Sequence, residues 1–296
     1  MSVGGNHEVG SSEAWQSYNV RYPMPWRASG SSSNLFWSRA VGPVHLVGLN
    51  SYAATANSSA QFTWLQKDLA KLNRTATPWL VVMMHAPWYN SNTGHWGEAA
   101  LMQADMEELL YTAGVDLVLA GHVHSYERTH PVYKGKLDEC GPTYITIGDG
   151  GNREGAYVPW REPQPTWSAF REAAFGVGKV DVVNATHAEF LWTRHACEGS
   201  EDPYHMNFNK TCSTIDDNSV TASVPSDSIT LRSHGARCPS SPASTSNSRP
   251  SLRVWWIISG VAAGLAASLL TALVITRWLR KHRAPQGQDY VGVDIE

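Results

Sequence analysis

Two short apolar runs in this chain each end in histidine, and they restrict its fold more than any other feature. "PWLVVMMHAPWYN" spans residues 78–90, and "VDLVLA" (115–120) leads directly into "GHVHSYERTHPVY" (121–133). Both runs are rich in Val, Leu or Met and too short for a confident helix, so they read as buried strands. In open α/β sheets, sites gather at the carboxyl ends of strands. His85 sits at one such end. At the other, Gly121 allows a bend, and His122 and His124 are two positions apart. In an extended chain, residues i and i+2 point the same way, so these two imidazoles are expected to face one point. A metal ion is the natural occupant; the alternative for an isolated H-x-H is one solvated and one packed histidine.

Two further stretches have the same form. "GGNHE" (4–8) puts Asn6 and His7 in a glycine-flanked turn, and "GPTYITIGDGGNREG" (141–155) reads as a strand followed by a glycine-rich turn. Three histidines and one amide at strand ends suit borderline metals such as zinc, iron or manganese. Between the strands, residues 57–75 read as an amphipathic helix, with Phe62, Leu65, Leu69 and Leu72 at 3/4 spacing and Ser58 or Ser59 as cap. Residues 98–114 read as a second helix stopped by Gly114. Both fit the covering helices of an α/β fold.

The C-terminal part has a different character. Residues 254–276 form a 23-residue run without a charge, long enough to cross a bilayer as a helix. Trp255, Trp256 and Trp278 flank it, and Arg277, Arg280, Lys281 and Arg283 follow. The expected topology is a single pass, with residues 1–253 lumenal or extracellular and 277–296 as a cytosolic tail. Gly260 and Gly264 form a G-x-x-x-G pair compatible with a homodimer. Residues 213–253, rich in Ser, Thr and Pro, read as an unstructured stalk.

Sequons at Asn57, Asn73, Asn184 and Asn209 fit passage through the secretory pathway and N-glycosylation. In an oxidising compartment Cys140, Cys197, Cys212 and Cys238 allow three pairings, of which Cys197–Cys212 would close a short loop. The first ten residues lack the charged and apolar regions of a signal peptide. The net charge of −3 and the absence of basic stripes argue against a nucleic-acid partner.

The blocks G-N-H-E (5–8), "VMMH" (82–85) and "GHVH" (121–124), with "HAPWYNSN", "SYER", "ITIGDGGNREG" and residues 167–195, resemble the purple acid phosphatases, a branch of the calcineurin-like metallophosphoesterases. The resemblance runs in order from Gly4 to His195. It implies a sandwich of two β-sheets flanked by helices, of which this chain carries the second half. It also implies a dinuclear centre of ferric iron and a divalent zinc, manganese or iron that hydrolyses phosphate monoesters. Carried over by position, Asn6, His85 and His122 would bind the divalent metal and His124 the iron. His7 and His95 would contact the substrate phosphate, position the nucleophile or protonate the leaving group, with Glu98 orienting His95. Tyr89, Asn90, Tyr126, Glu127 and Arg128 match family blocks without a specific role.

The family pattern has two earlier blocks, G-D-x-G and G-D-x-x-Y, with an iron-binding aspartate, a bridging aspartate and an iron-binding tyrosine. The chain starts at G-N-H-E, so these blocks have no counterpart in it. "GDGG" (148–151) matches a later family block, and Asp149 is read as turn chemistry. The expected organisation is a partial catalytic domain (1–196), a Cys-containing segment and stalk (197–253), a membrane span (254–276) and a tail (277–296). The expected function is a membrane-anchored acid phosphatase, the alternative being a non-catalytic, membrane-anchored relative or fragment with an incomplete metal site.

Overall fold

The computed structural model describes residues 1–10, 14–152, 154–194 and 224–238 of the 296-residue chain. Two short helices, α1 (Asn6–Val9) and α2 (Gln16–Arg21), precede β1 (Trp37–Val41) and β2 (Val44–Gly48). Then follow α3 (Ala60–Leu69), β3 (Trp79–Met84), α4 (Ala100–Thr112) and β4 (Leu117–Ala120). Next come β5 (Tyr126–Thr129), the small hairpin β6 (Val132–Tyr133) and β7 (Lys136–Leu137), and β8 (Thr143–Ile147). The last elements are β9 (Ser168–Glu172), β10 (Gly176–Val182), β11 (His187–Arg194), β12 (Val224–Arg232) and α5 (His234–Arg237).

Seven strands form one sheet in the order β1-β2-β3-β4-β8-β5-β9. β2, β3, β4 and β8 are parallel, joined in part by the crossovers α3 and α4, while β1, β5 and β9 run antiparallel to their neighbours. The apolar runs form the central strands β3 and β4, where both faces are covered. Alternation along β3 decides what each face meets. Leu80, Val82 and Met84 face the helices, packing with Trp64 and Leu65 of α3 and Met102, Met106 and Leu110 of α4. Trp79 and Val81 face the other way, into a second core with Phe190, Trp192 and Leu231 of an antiparallel three-stranded sheet, β10-β11-β12. Ser59 caps α3, its hydroxyl accepting from Phe62 N at 3.1 Å.

The small sheet covers only part of the large one. A cleft of about 180 Å³ lies between them, lined by Val44, Trp79, Val81, Leu117, Leu119, Val180, Val182 and Leu231.

Two expectations need correction. The stalk expected over 213–253 includes strand β12, which pairs with β11 from His187↔Arg232 to Arg194↔Val224. Ile229 and Leu231 supply its inward face. The compact body, Met1–Ala243, therefore extends past the boundary set at residue 196. The cysteines follow the expected pattern: Cys140 is bonded to Cys238, which of the three pairings leaves the one that joins Cys197 with Cys212. Cys197 and Cys212 lie outside the described residues, as do Asn209 and the span 254–276. The other correction concerns Asp149, which is more than a turn residue. It is fully buried and its Oδ2 accepts from Trp192 Nε1 at 2.7 Å, tying the small sheet to the loop after β8. Among the described residues, no helix is long and apolar enough to cross a membrane. Asn57, Asn73 and Asn184 are exposed.

Candidate metal centre

The chain delivers histidines to the carboxyl ends of β3 and β4, where they meet Asn6 from the start of α1. His85 Nε2 lies 3.0 Å from Asn6 Oδ1 and 3.0 Å from His122 Nδ1. Three donor atoms from distant segments thus converge on one point. Gly5 makes this possible, since a Cβ there would lie 2.6–2.9 Å from the His85 ring. Asn6 opens a one-turn helix rather than a simple turn, and Glu8 Oε2 accepts from Gly5 N at 2.7 Å to hold that turn.

His122 does not continue the strand as expected. It is the middle of a γ-turn, with Val123 N donating to Gly121 O at 2.7 Å and φ of +67°. A second such turn follows, with Ser125 N donating to Val123 O at 2.8 Å. Left-handed backbone at a non-glycine residue costs about 1–3 kcal/mol and concentrates at functional sites. These turns aim the His122 and His124 rings differently from i, i+2 alternation. His122 joins His85 and Asn6, whereas His124 faces Tyr157 and Glu154, its Nδ1 3.5 Å from Glu154 Oε2 and without a hydrogen bond.

Glu98 does more than orient His95. Its Oε1 lies 2.7 Å from His95 Nδ1 and its Oε2 2.7 Å from His122 Nε2. His95, Glu98 and His122 thus form a cluster that could itself hold an ion. The better fit is the other side of His122. A carboxylate accepting one ring N–H fixes the tautomer and leaves the opposite nitrogen free for a metal. Glu98 takes Nε2, so Nδ1 is directed at His85 and Asn6. The donor set of one amide oxygen and two imidazoles fits a borderline divalent ion, and the unpartnered Nδ1 of His124 fits a separate ion.

Burial sets the protonation states. It holds His85 down to about 4, helped by the imidazoles of His122 and His7. Burial also lowers His122, against the upward pull of Glu98, and lowers His124, against Glu154. Partial burial pushes Glu98 upward, but hydrogen bonds from His122 and His95 prevail and keep its carboxyl low. The resulting neutral imidazoles are the form that binds metal. His7 is exposed beside this group.

Several contributors were not evident from sequence. Tyr157 stacks on His124 with ring centroids 4.4 Å apart, and its hydroxyl lies 3.4 Å from His95 Nε2 and 3.1 Å from Glu154 Oε2. Tyr52 packs 5.9 Å from the His85 ring, and burial, with Glu98 and Glu8 nearby, pushes its phenol up to about 12. Neither residue type at these positions marks a site. The block-matching residues prove structural: Glu127 is buried and accepts from Ser91 N, Ser91 Oγ and Ser168 Oγ at 2.5–2.7 Å. Tyr89 donates to Glu107, and the Asn90 side chain holds Gly94 O and Asn92 N.

Comparison with known proteins points the same way. Residues 1–126 match the family model described as calcineurin-like phosphoesterase, and residues 141–202 match that of iron/zinc purple acid phosphatase-like protein C. Purple acid phosphatase 18 of Arabidopsis thaliana is 51% identical over 205 residues, which cover 68% of this chain and 46% of the relative. Purple acid phosphatase 1 of Ipomoea batatas is 42% identical over 208 residues, covering 64% and 44%. The chain spans about half the length of the curated relatives it matches. Among solved structures, purple acid phosphatase PPD1 from yellow lupin (Lupinus luteus) seeds superposes with a TM-score of 0.54 at 19% identity. That match covers 68% of this chain and 34% of the lupin chain, a likeness of fold.

Proposed function

We propose that this chain, which belongs to the purple acid phosphatase family of calcineurin-like phosphoesterases, supplies the divalent-metal half of a dinuclear centre that hydrolyses phosphate monoesters. The observation that carries this reading is the convergence of Asn6 Oδ1, His85 Nε2 and His122 Nδ1 within 3.0 Å contacts. His124, whose Nδ1 makes no hydrogen bond, would hold the ferric iron. The metals, zinc, manganese or iron at the divalent position, would supply Lewis acidity at the phosphate oxygens and at water.

The chain's own residues perform the rest. Asn6 and the imidazoles of His85 and His122 bind without a proton to lose. Glu98 holds His122 and His95 at once, so the binding group and the rim group keep a fixed separation. His95 Nδ1 is committed to Glu98, while Nε2 makes only the long 3.4 Å contact with the Tyr157 hydroxyl, which a phosphate oxygen or the departing alcohol can replace. His7, exposed at the same rim, supplies a second contact to phosphate. We extend the proposal to the setting: residues 254–276 anchor the protein in a bilayer with the globular part outside the cytosol, and Asn57, Asn73, Asn184 and Asn209 carry glycans.

The test is metal content and turnover in one preparation. Equilibrium dialysis against zinc should give one tightly held ion per chain, and a His122→Ala variant none. Supplying the family's upstream segment should bring hydrolysis of an aryl phosphate. Equal zinc in His122→Ala and the parent chain would overturn the assignment of the site.

A further inference from the structure

Tyr157 lies where two otherwise separate parts of the site come together. Its backbone N–H donates to His124 O at 2.9 Å, and its carbonyl accepts from Asn92 Nδ2 at 2.7 Å. Its ring stacks on His124 at 4.4 Å and 30°. The ring also packs on His95, with centroids 5.6 Å apart, and on Gly94, the residue before it. A Cβ on Gly94 would lie 2.7 Å from Tyr157 Cδ2, too close for any side chain. The hydroxyl reaches His95 Nε2 at 3.4 Å and Glu154 Oε2 at 3.1 Å. His95 itself is held at φ of +55°, a backbone conformation that needs outside support.

We propose that Tyr157 is a positioning residue that clamps the His95 loop to the His122–His124 turn, setting the distance between the group that meets phosphate and the group that holds iron. The inference rests on the reading of His95 and His124 given above. It adds a requirement that position 94 be glycine because position 157 is tyrosine. The ring sets the His124 plane and the Gly94 contact and packs on His95, and the hydroxyl adds direct contacts to His95 Nε2 and to Glu154.

Four variants of the full chain separate these roles: Tyr157→Phe, Tyr157→Ala, Gly94→Ala and the double Gly94→Ala/Tyr157→Ala. The first readout is the imidazole ¹⁵N resonances of His95 and His124 without added metal, with the thermal midpoint alongside. Tyr157→Phe, which keeps both ring contacts, should shift both resonances less than Tyr157→Ala does. Tyr157→Ala and Gly94→Ala should each move both, and adding Gly94→Ala to Tyr157→Ala should bring much less change than Gly94→Ala does alone, because the nearest clash partner is gone and only Asn92 Oδ1, at 3.1 Å, still crowds the new Cβ. The second readout is binding of inorganic phosphate to the zinc-loaded chain. Tyr157→Ala and Gly94→Ala should each weaken it about three- to tenfold, the scale of one stacked ring or one hydrogen bond, with the thermal midpoint changed much less in Tyr157→Phe than in Tyr157→Ala. Unmoved His124 resonances in Tyr157→Ala, or independent additive effects of the two substitutions, would overturn the clamp. Failure of the parent chain to take zinc counts against the proposed function, while the metal-free resonances still decide the role of Tyr157.

Discussion

Arg128 and Asp227, 99 positions apart, form a two-point ion pair in the core between the sheets. Nε meets Oδ2 at 2.7 Å and Nη2 meets Oδ1 at 2.9 Å, and the Tyr126 hydroxyl donates to the same Oδ2 at 2.7 Å. The pair fastens β12 to β5. Removing one partner leaves a buried, uncompensated charge, which costs about 3–5 kcal/mol. Asp227→Ala should therefore lower the urea midpoint sharply, and a combined Arg128→Met/Asp227→Leu variant should recover much of the loss. An Asp227→Ala protein as stable as its parent would mean that β12 is not part of the body.

Glu98 gives a graded prediction at the centre. It touches His122 from the side away from the proposed ion, so Glu98→Gln should weaken zinc binding by about 10–100-fold without abolishing it. His122→Ala removes a donor outright and should abolish binding at micromolar zinc. Calorimetric titration distinguishes the two. Identical losses would place Glu98 among the direct ligands, in the alternative cluster with His95.

The buried Asp149 makes stability depend on pH. Burial raises its carboxyl to about 7, against 3.8 for an unperturbed aspartate, with the Trp192 hydrogen bond offsetting part of the rise. Between those values the folded state holds a proton that the unfolded chain releases, so stability is full at acid pH and falls as pH rises through 7. The span corresponds to up to about 4 kcal/mol. Asp149→Asn keeps an acceptor for Trp192 and should flatten the curve of urea midpoint against pH between 4 and 7. A parent chain more stable at pH 7.5 than at 4.5 would contradict this.

The candidate site was legible in the sequence wherever the chain writes a ligand-type residue at the end of a strand. His85 and His122 are brought together as that pattern suggests, and Asn6 joins them from the start of α1. The sequence did not reveal the γ-turns, because a left-handed His122 is imposed by tertiary contacts and not by local propensity. Tyr157 was hidden for a related reason: its partners Gly94 and His124 are distant in sequence, and a tyrosine after a glycine-rich turn is ordinary. The strand β12 was misread because its inward face carries little more than Ile229 and Leu231 among Ser, Thr and Asp. Low-complexity composition and an edge strand with one modest apolar face look alike. The helices α3 and α4 were read correctly in kind, since their apolar spacing and the Ser59 cap are local signals, but both are shorter than expected.

The Cys140–Cys238 bond also determines what a protease can remove. It closes a loop that starts just before β8 and ends just after α5, with a sequence separation of 98. A cut anywhere from residue 195 to residue 223 falls inside that loop. Both fragments would remain joined, migrating as one species on a non-reducing gel and as two after thiol treatment. The third strand of the small sheet would stay tethered beside its partner at high effective concentration, and the Arg128–Asp227 pair would re-form after each excursion. Maturation by internal cleavage is thus compatible with an intact sandwich as long as the thiols stay oxidised.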